Sequence, residues 1–218
     1  NFSVFFICFF VSGLIALPQK TTVSNSKIKN TNRSTSSSAL GNSKINTGIS
    51  AEEATIRDTK LKNTNIGVRN RASGGSKINT GIMADRSTLE KSSIKNRNIN
   101  INNLAVGNSE VNTGIAAESA IVKKSQIDNL NRNVTNKAFN NSQVNSGTDI
   151  SKSKVSSSKL NNFGYGINNN ASNASSASSG VSVRSINIKG TGIDNNNKSI
   201  NNMAASASES NSGVNFGN

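Results

Sequence analysis

The chain has no histidine and no tryptophan, one cysteine and one proline among 218 residues. Aromatic residues make up 4% and hydrophobic residues of all kinds 33%. Each scarcity excludes something. Without histidine, Ser–His and Cys–His nucleophile pairs cannot be built, nor can the common zinc ligand sets. A lone Cys8 cannot close an intramolecular disulfide. So few large apolar side chains cannot fill the core of an ordinary globular domain of this length. The near-absence of proline argues against the usual polar disordered chain, which is enriched in it, and leaves a disordered low-complexity repeat as the alternative to a folded one. The composition therefore points to no enzyme, no cofactor and no metal site.

What is present is asparagine and serine, 39 and 37 residues, about a third of the chain. Such a bias marks either disorder or a polar repeat. Charge is one-sided: 25 Lys and Arg stand against 11 Asp and Glu, a net +14. A balance of this kind suits acidic polysaccharide or extracellular DNA as partners. Rings for base stacking are few beyond the N-terminal segment, namely Phe139, Phe163, Tyr165 and Phe216. A cationic surface that keeps subunits soluble before assembly is the plainer reading.

Residues 2–17 read FSVFFICFFVSGLIAL and polar sequence follows from Gln19. A membrane-spanning helix needs about 20 apolar residues. Residues 1–17 are accordingly read as a secretory signal segment, with a short N-terminal membrane anchor as the alternative. Cys8 lies inside this segment, so the mature chain is expected to carry no thiol and no integral membrane span.

A repeat governs the rest. GNSKINTGI begins at Gly41, GGSKINTGI at Gly74, GNSEVNTGI at Gly107 and NNSQVNSGT at Asn140, a spacing of 33 each time. Degenerate copies begin at Asn173 and Ser206. Five full units span 41–205, with partial units at 18–40 and 206–218. Aligned, the units hold certain columns constant. One is Ser43, Ser76, Ser109 and Ser142; another is Gly48, Gly81, Gly114, Gly147 and Gly180. Apolar columns are Ile45, Ile78, Val111 and Val144, then Leu61, Ile94, Ile127, Leu160 and Ile193. Two asparagine columns stand out. The first is Asn30, Asn63, Asn96, Asn129, Asn162 and Asn195; the second is Asn70, Asn103, Asn136, Asn169 and Asn202.

Fixed and variable positions alternate, as in Val68, Asn70, Ala72, Gly74, Ser76 and Ile78. Period two is the signature of strand, with one constant face. The phase of alternation changes near residues 66–67 and again before Thr59, so each unit reads as about three strand pieces joined by arcs. One unit cannot bury its constant face alone. The expected fold is therefore all-β: a β-solenoid or single-chain cross-β stack with one layer per 33-residue repeat. Equivalent residues would then lie about 4.8 Å apart. Asparagine columns would form amide ladders, and an unpaired buried amide costs about 1–3 kcal/mol. The glycine column suits a sharp arc or a close backbone approach. Lys44 and Lys77 give way to Glu110 and Gln143, which limits the stacking of like charges. Asp58, Asp85, Asp128, Asp149 and Asp194 fall in variable columns and form no acid–base pair. Gly-Thr-Gly at Gly190 lacks the setting of a phosphate loop.

The two partial units sum to about one layer, and neither carries an obvious cap. That predicts head-to-tail stacking, a heterologous contact that propagates into a filament. A monomeric solenoid adhesin, or an ice- or ligand-binding surface, is the alternative. For the latter, the column Thr47, Thr80, Thr113, Ser146 and Ser179 would have to face outward. Its phase with Ile45 and Ile49 predicts that it faces inward.

The junctions NRASG from Asn70, NLAVG from Asn103, NKAFN from Asn136 and NNASN from Asn169 carry a resemblance. They are similar to the Asn-x-Ala-x-Gly element in repeats of Fap-type, curli-like functional amyloid subunits. The resemblance covers about 41–205. It differs in having Ser-x-Ile-Asn-Thr rather than Gln-rich positions, contiguous repeats, and no Cys pair. It implies a secreted, extracellular or cell-surface subunit that polymerises with itself into fibres of a biofilm matrix, each repeat forming one β layer.

Overall fold

Alternating stretches are strand for most of their length, but the run from Val68 to Ile78 is broken at 74–76 by a corner between Arg69–Ser73 and Lys77–Asn79. In a computed structural model of the protein, residues 15–17, 22–184 and 187–217 are described, and among them there is no helix. The strands wind into about six coils of a β-solenoid. One coil contains Lys77–Asn79, Ile82–Asp85, Thr88–Glu90 and the long Ser93–Val106. Each pairs in parallel with its equivalents one coil above and below, giving sheets of six, seven, six and eight strands. The register is 33 residues: Lys77 lies beside Lys44 and Glu110, Ile94 beside Leu61 and Ile127.

A coil thus has four walls rather than three strand pieces. The additional corner separates strands of four and three residues, such as Ile82–Asp85 and Thr88–Glu90, too short for alternation to show in sequence. The long strand bends at Asn100, the position equivalent to Gly67, where the alternation changes phase. In the earlier coil the same place divides Lys60–Ile66 from Arg69–Ser73.

One corner column is made by two consecutive left-handed residues, such as Gly74–Gly75 and Asn140–Asn141, and others by single ones. Asn25, Asp58, Lys91, Lys124 and Ser157 occupy one corner column with φ near +50°. Glu53, Arg86, Ser119 and Lys152 occupy the next. For non-glycine residues this conformation costs roughly 1–2 kcal/mol. It persists because the inter-coil bond survives the turn: the Asp58 N–H donates to the Glu90 carbonyl at 3.0 Å, and the Lys91 N–H to Lys123 at 2.9 Å. The constant glycine column does something else. Gly48, Gly81, Gly114 and Gly147 have no positive φ, and a Cβ at any of them would overlap the carbonyl oxygen of the next glycine in the column. They mark a close approach of backbones between coils.

Apolar columns fill the interior as stripes. Ile49, Ile56, Leu61, Ile82, Leu89 and Ile94 belong to one cluster. Ala72, Ile78, Ala105, Val111 and Val144 belong to a second, and Val68, Ile101, Val134 and Ile167 line the bend. Ile45 and Ile193 are half-buried, lying near the two ends of the stack. Small stripes suffice because each residue touches its own copies above and below as well as the facing wall.

Residues 1–14 of the expected signal segment lie outside the described residues. Ile15–Leu17 form a strand parallel to Ile49–Glu52, with Ile15 beside Ile49, an offset of 34 rather than 33. The N-terminal partial unit pairs in the repeat register: Thr22–Ser24, Lys27–Arg33 and Ser36–Leu40 lie on Thr55–Arg57, Lys60–Ile66 and Arg69–Ser73. At the other end Glu209–Asn211 lies on Ser176–Ser178 and Val214–Gly217 on Val181–Arg184. No described helix is long and apolar enough to cross a membrane.

Ion pairs cross between coils on the outside, including Arg57–Glu90 at 2.9 Å, Lys77–Glu110 at 3.0 Å and Lys152–Glu118 at 3.1 Å. Exposed pairs of this kind contribute about 0–1 kcal/mol each. Asp149 differs. Its Oδ1 is buried without a hydrogen-bond partner, while Oδ2 meets the Arg184 guanidinium at 3.2 Å. Burial pushes its carboxyl above the ordinary range, and Arg184 only partly opposes that. Folding therefore favours the protonated form. The associated stability is present at low pH and is lost as pH rises through the raised value. Asp149→Asn should make the protein more stable than the parent at pH 7, and the gain should vanish near pH 3. Urea melts at the two pH values test this; an equal difference at both would exclude the assigned cause.

Candidate functional site

The chemistry of this molecule is concentrated in its buried amides. At each constant Asn-Thr-Gly or Asn-Ser-Gly the chain steps inward, and the backbone ladder skips one carbonyl. The N–H groups of Thr47 and Gly48 both donate to the Asn79 carbonyl, at 2.8 and 3.1 Å, and the Ile49 N–H donates to Gly81 at 2.9 Å. The Thr80 carbonyl between them receives no backbone donor. It points into the solenoid, where an unpaired carbonyl is costly.

Side chains from the opposite wall supply the donor. Asn63 Nδ2 reaches the Thr80 carbonyl at 2.6 Å and Asn65 Nδ2 reaches it at 3.0 Å. The arrangement recurs in each coil: Asn96 to Thr113 at 2.7 Å, Asn129 to Ser146 at 2.7 Å, Asn162 to Ser179 at 2.9 Å and Asn195 to Ser212 at 2.9 Å. The second amide hydrogen of each Asn runs along the stack. Asn30 donates to Asn63 Oδ1, Asn63 to Asn96, Asn96 to Asn129, Asn129 to Asn162 and Asn162 to Asn195, at 2.8–3.0 Å.

The second column behaves alike. Asn70 donates to Asn103, Asn103 to Asn136, Asn136 to Asn169 and Asn169 to Asn202, at 2.9–3.0 Å. These amides also donate to the hydroxyls of Thr80, Thr113, Ser146 and Ser179. The threonine–serine column is therefore inward and spoken for; Thr80, Thr113, Ser146 and Ser179 are fully buried. It offers no outward hydroxyl row. Asn195 is half-buried and Asn202 exposed, because among the described residues no further coil covers them.

The serine column closes another gap at a corner. The Ser43 N–H donates to Ser76 Oγ at 3.3 Å and the Ser109 N–H to Ser142 Oγ at 3.1 Å, while Ser76 Oγ donates to the Ser73 carbonyl at 2.8 Å. Each hydroxyl ties its own corner to the coil before it.

Two further ladders are less legible in sequence. Asn32, Asn65, Asn98 and Asn131 form a third, at 2.8 Å per step. Gly164 interrupts that column, leaving Asn131 Nδ2 and Asn197 Oδ1 buried without partners. The interruption hides the column from a search for constancy. Asn46, Asn79, Asn112 and Asn145 form a fourth, whose amides donate in the opposite direction at 3.0–3.1 Å. Their Oδ1 atoms also accept from the glycine N–H two residues on, as in Gly81 N–H to Asn79 at 3.1 Å. That bond, an Asx turn, holds the inward step. It explains why Asn79 and Gly81 recur on what the alternation would make a variable face.

Among the described residues no group of three or more His, Cys, Asp or Glu could hold a metal. The arrangement has the chemistry of polar zippers: directional, self-complementary amide stacks.

No family model matches the chain, and no curated protein matches it. One similar solved structure is HetL, a pentapeptide repeat protein involved in heterocyst differentiation regulation from the cyanobacterium Nostoc sp. strain PCC 7120. The likeness covers 83% of this chain and 87% of that one, at 11% identity and a TM-score of 0.14. At that score it bears on neither fold nor function; the solenoid stands on its own register of paired strands.

Asn129→Leu removes a donor to the Ser146 carbonyl and two ladder bonds at once. It should destabilise the fold by about 3–5 kcal/mol, against about 0.5 kcal/mol or less for the exposed Lys123→Leu. Equal denaturation midpoints for the two variants would remove the ladder from the account. Conversely, Gly164→Asn restores the acceptor for Asn131, provided the Asn197 side chain, which fills the space of the new Cβ, withdraws to accept from it. The gain should be positive but below about 1 kcal/mol, readable as a shifted urea midpoint with unchanged slope.

Proposed function

We infer that this chain is a structural protein whose solenoid stacks on copies of itself, head to tail, into extracellular fibres of a cell-surface or biofilm matrix. The fibres would be of the functional-amyloid kind. One observation carries the reading: the asparagine ladders have a direction, and their ends are complementary. In the Asn63 column every amide donates toward higher residue numbers. At the low end Asn30 Oδ1 is buried with no donor. At the high end Asn195 Nδ2 has its bond to Ser212 and, among the described residues, no further asparagine of its column. A second copy placed in register would join Asn195 to Asn30 and continue the column.

The strands support the same reading. Among the described residues, Lys27–Arg33 and Gly192–Ala205 are the outermost strands of the broad sheet, each with one neighbour along the stack. An open parallel edge of this length is a template for pairing with another chain. Secretion rests on the apolar residues 1–17 alone. Ile15–Leu17 hold the outer place on Ile49–Glu52, so a second copy would reach that strand only after the segment is removed.

The test is electron microscopy with fibre diffraction on the chain from Pro18 onward. Unbranched fibres with an axial reflection near 4.8 Å are expected. Monomers that persist at high concentration, with no such reflection, would overturn the assignment.

A further inference from the structure

The walls of the solenoid differ sharply in charge. The strands of the broad sheet, those running in register with Ser93–Val106, carry Lys27, Lys29, Arg33, Lys60, Lys62, Arg69, Arg71, Lys95, Arg97, Arg132, Lys137, Lys159 and Lys198. They carry only Asp128 and Asp194 in opposition. Thirteen cations less two anions leave +11 on this wall, out of +14 for the whole chain. All of these cations are exposed except Lys29, which is half-buried.

On this wall like charges are not kept apart. Lys29, Lys62 and Lys95 are direct register partners on three successive coils, and Lys27 lies beside Lys60. Lysines borne side by side on strands about 4.8 Å apart repel one another. The column changes sign only at its fourth coil, where Asp128 lies beside Lys95 and pairs with it at 3.3 Å. A protein that needed only solubility could disperse these charges over all four walls. Concentrating them on the two faces of one bent wall, against their mutual repulsion, makes sense when an anion lies across it.

The same wall holds the exposed rings. Phe163 and Tyr165 are 41% and 53% exposed, one residue apart on one strand and on the same face. Tyr165 has Arg132 on the coil before and Lys198 on the coil after, and Leu130 and Asn196 flank Phe163 in the same way. These six residues line a shallow depression.

We propose that the broad sheet is a docking face for a linear acidic polysaccharide. Carboxylates of the chain would lie along the lysine and arginine columns, and the C–H face of a sugar ring would lie on Tyr165 and Phe163. Charge spacing favours this partner over duplex DNA. A duplex carries one charge per about 1.7 Å on a stiff convex rod, far denser than a cation row at about 4.8 Å. A stiff rod meets a wall that bends at Gly67 and Asn100 along one line, whereas a flexible chain follows the bend across several columns. The inference does not rest on fibre formation, since a single solenoid presents the whole face.

The experiment measures binding of the full chain to alginate, a polyuronate, at fixed ionic strength, with neutral dextran and duplex DNA as comparison probes. One variant carries Lys60→Gln, Lys62→Gln, Arg69→Gln and Arg71→Gln. The other loses the same charge elsewhere, through Lys91→Gln, Lys123→Gln, Lys124→Gln and Lys154→Gln. The first should weaken alginate binding at least ten-fold and flatten its salt dependence, the second less than three-fold. Tyr165→Ala should weaken alginate binding with the salt dependence unchanged. Equal losses from the two charge variants would reduce the effect to net charge and overturn the proposal. Tighter binding to duplex DNA than to alginate would overturn it in favour of a nucleic-acid face.

Discussion

One carbonyl per coil decides much of this structure. The inward step at Asn-Thr-Gly withdraws the Thr80, Thr113, Ser146 and Ser179 carbonyls from the backbone ladder and points them into the solenoid. A buried carbonyl left bare costs about as much as the net worth of two good hydrogen bonds. The opposite wall must therefore present a donor at the same height in every coil. Asparagine does so with one amide hydrogen and still has a hydrogen and an oxygen left for the coils above and below. The step, the glycine that permits close approach, and the asparagine that answers it form one device repeated at 33-residue intervals.

That device divides the interior. Apolar stripes occupy two main compartments, and the amide columns with the threonine–serine hydroxyls stand between them. The partition makes register specific. An apolar column tolerates sliding by one residue pair, because isoleucine packs on isoleucine or alanine alike. An amide column does not, since a slip would strand every donor at once. The ladder is also polar along the axis, so the two ends of the stack differ. Asn30 presents an unmet acceptor and Asn195 a spare donor.

The outside follows a separate logic. Three walls and their corners carry mixed charges, many in ion pairs between adjacent coils. The fourth and widest carries a nearly uniform positive charge. Nothing in the interior requires this, since the outward residues of a strand are free of the packing that constrains inward ones. The fold supplies a regularly spaced lattice of outward positions on this bent wall, and most of its charged positions are basic.

The 33-residue translation, the all-parallel stacking and the inward Asn63 and Asn70 columns were legible in the chain, because a residue that must match its own copy stays constant while its neighbours drift. Constancy failed as a guide where the match was broken once: Gly164 concealed the ladder through Asn65 and Asn98. It also failed at the corners. Lys91, Lys124, Glu53 and Arg86 turn the chain through a left-handed backbone that none of these residue types announces, since what holds the turn is the bond to the next coil. The number of walls, the inward carbonyl and the gathering of basic residues onto one wall likewise emerged only in three dimensions. They depend on which strands come to share a sheet, and periodicity along one chain records the height of a residue in the stack but not the wall it stands on.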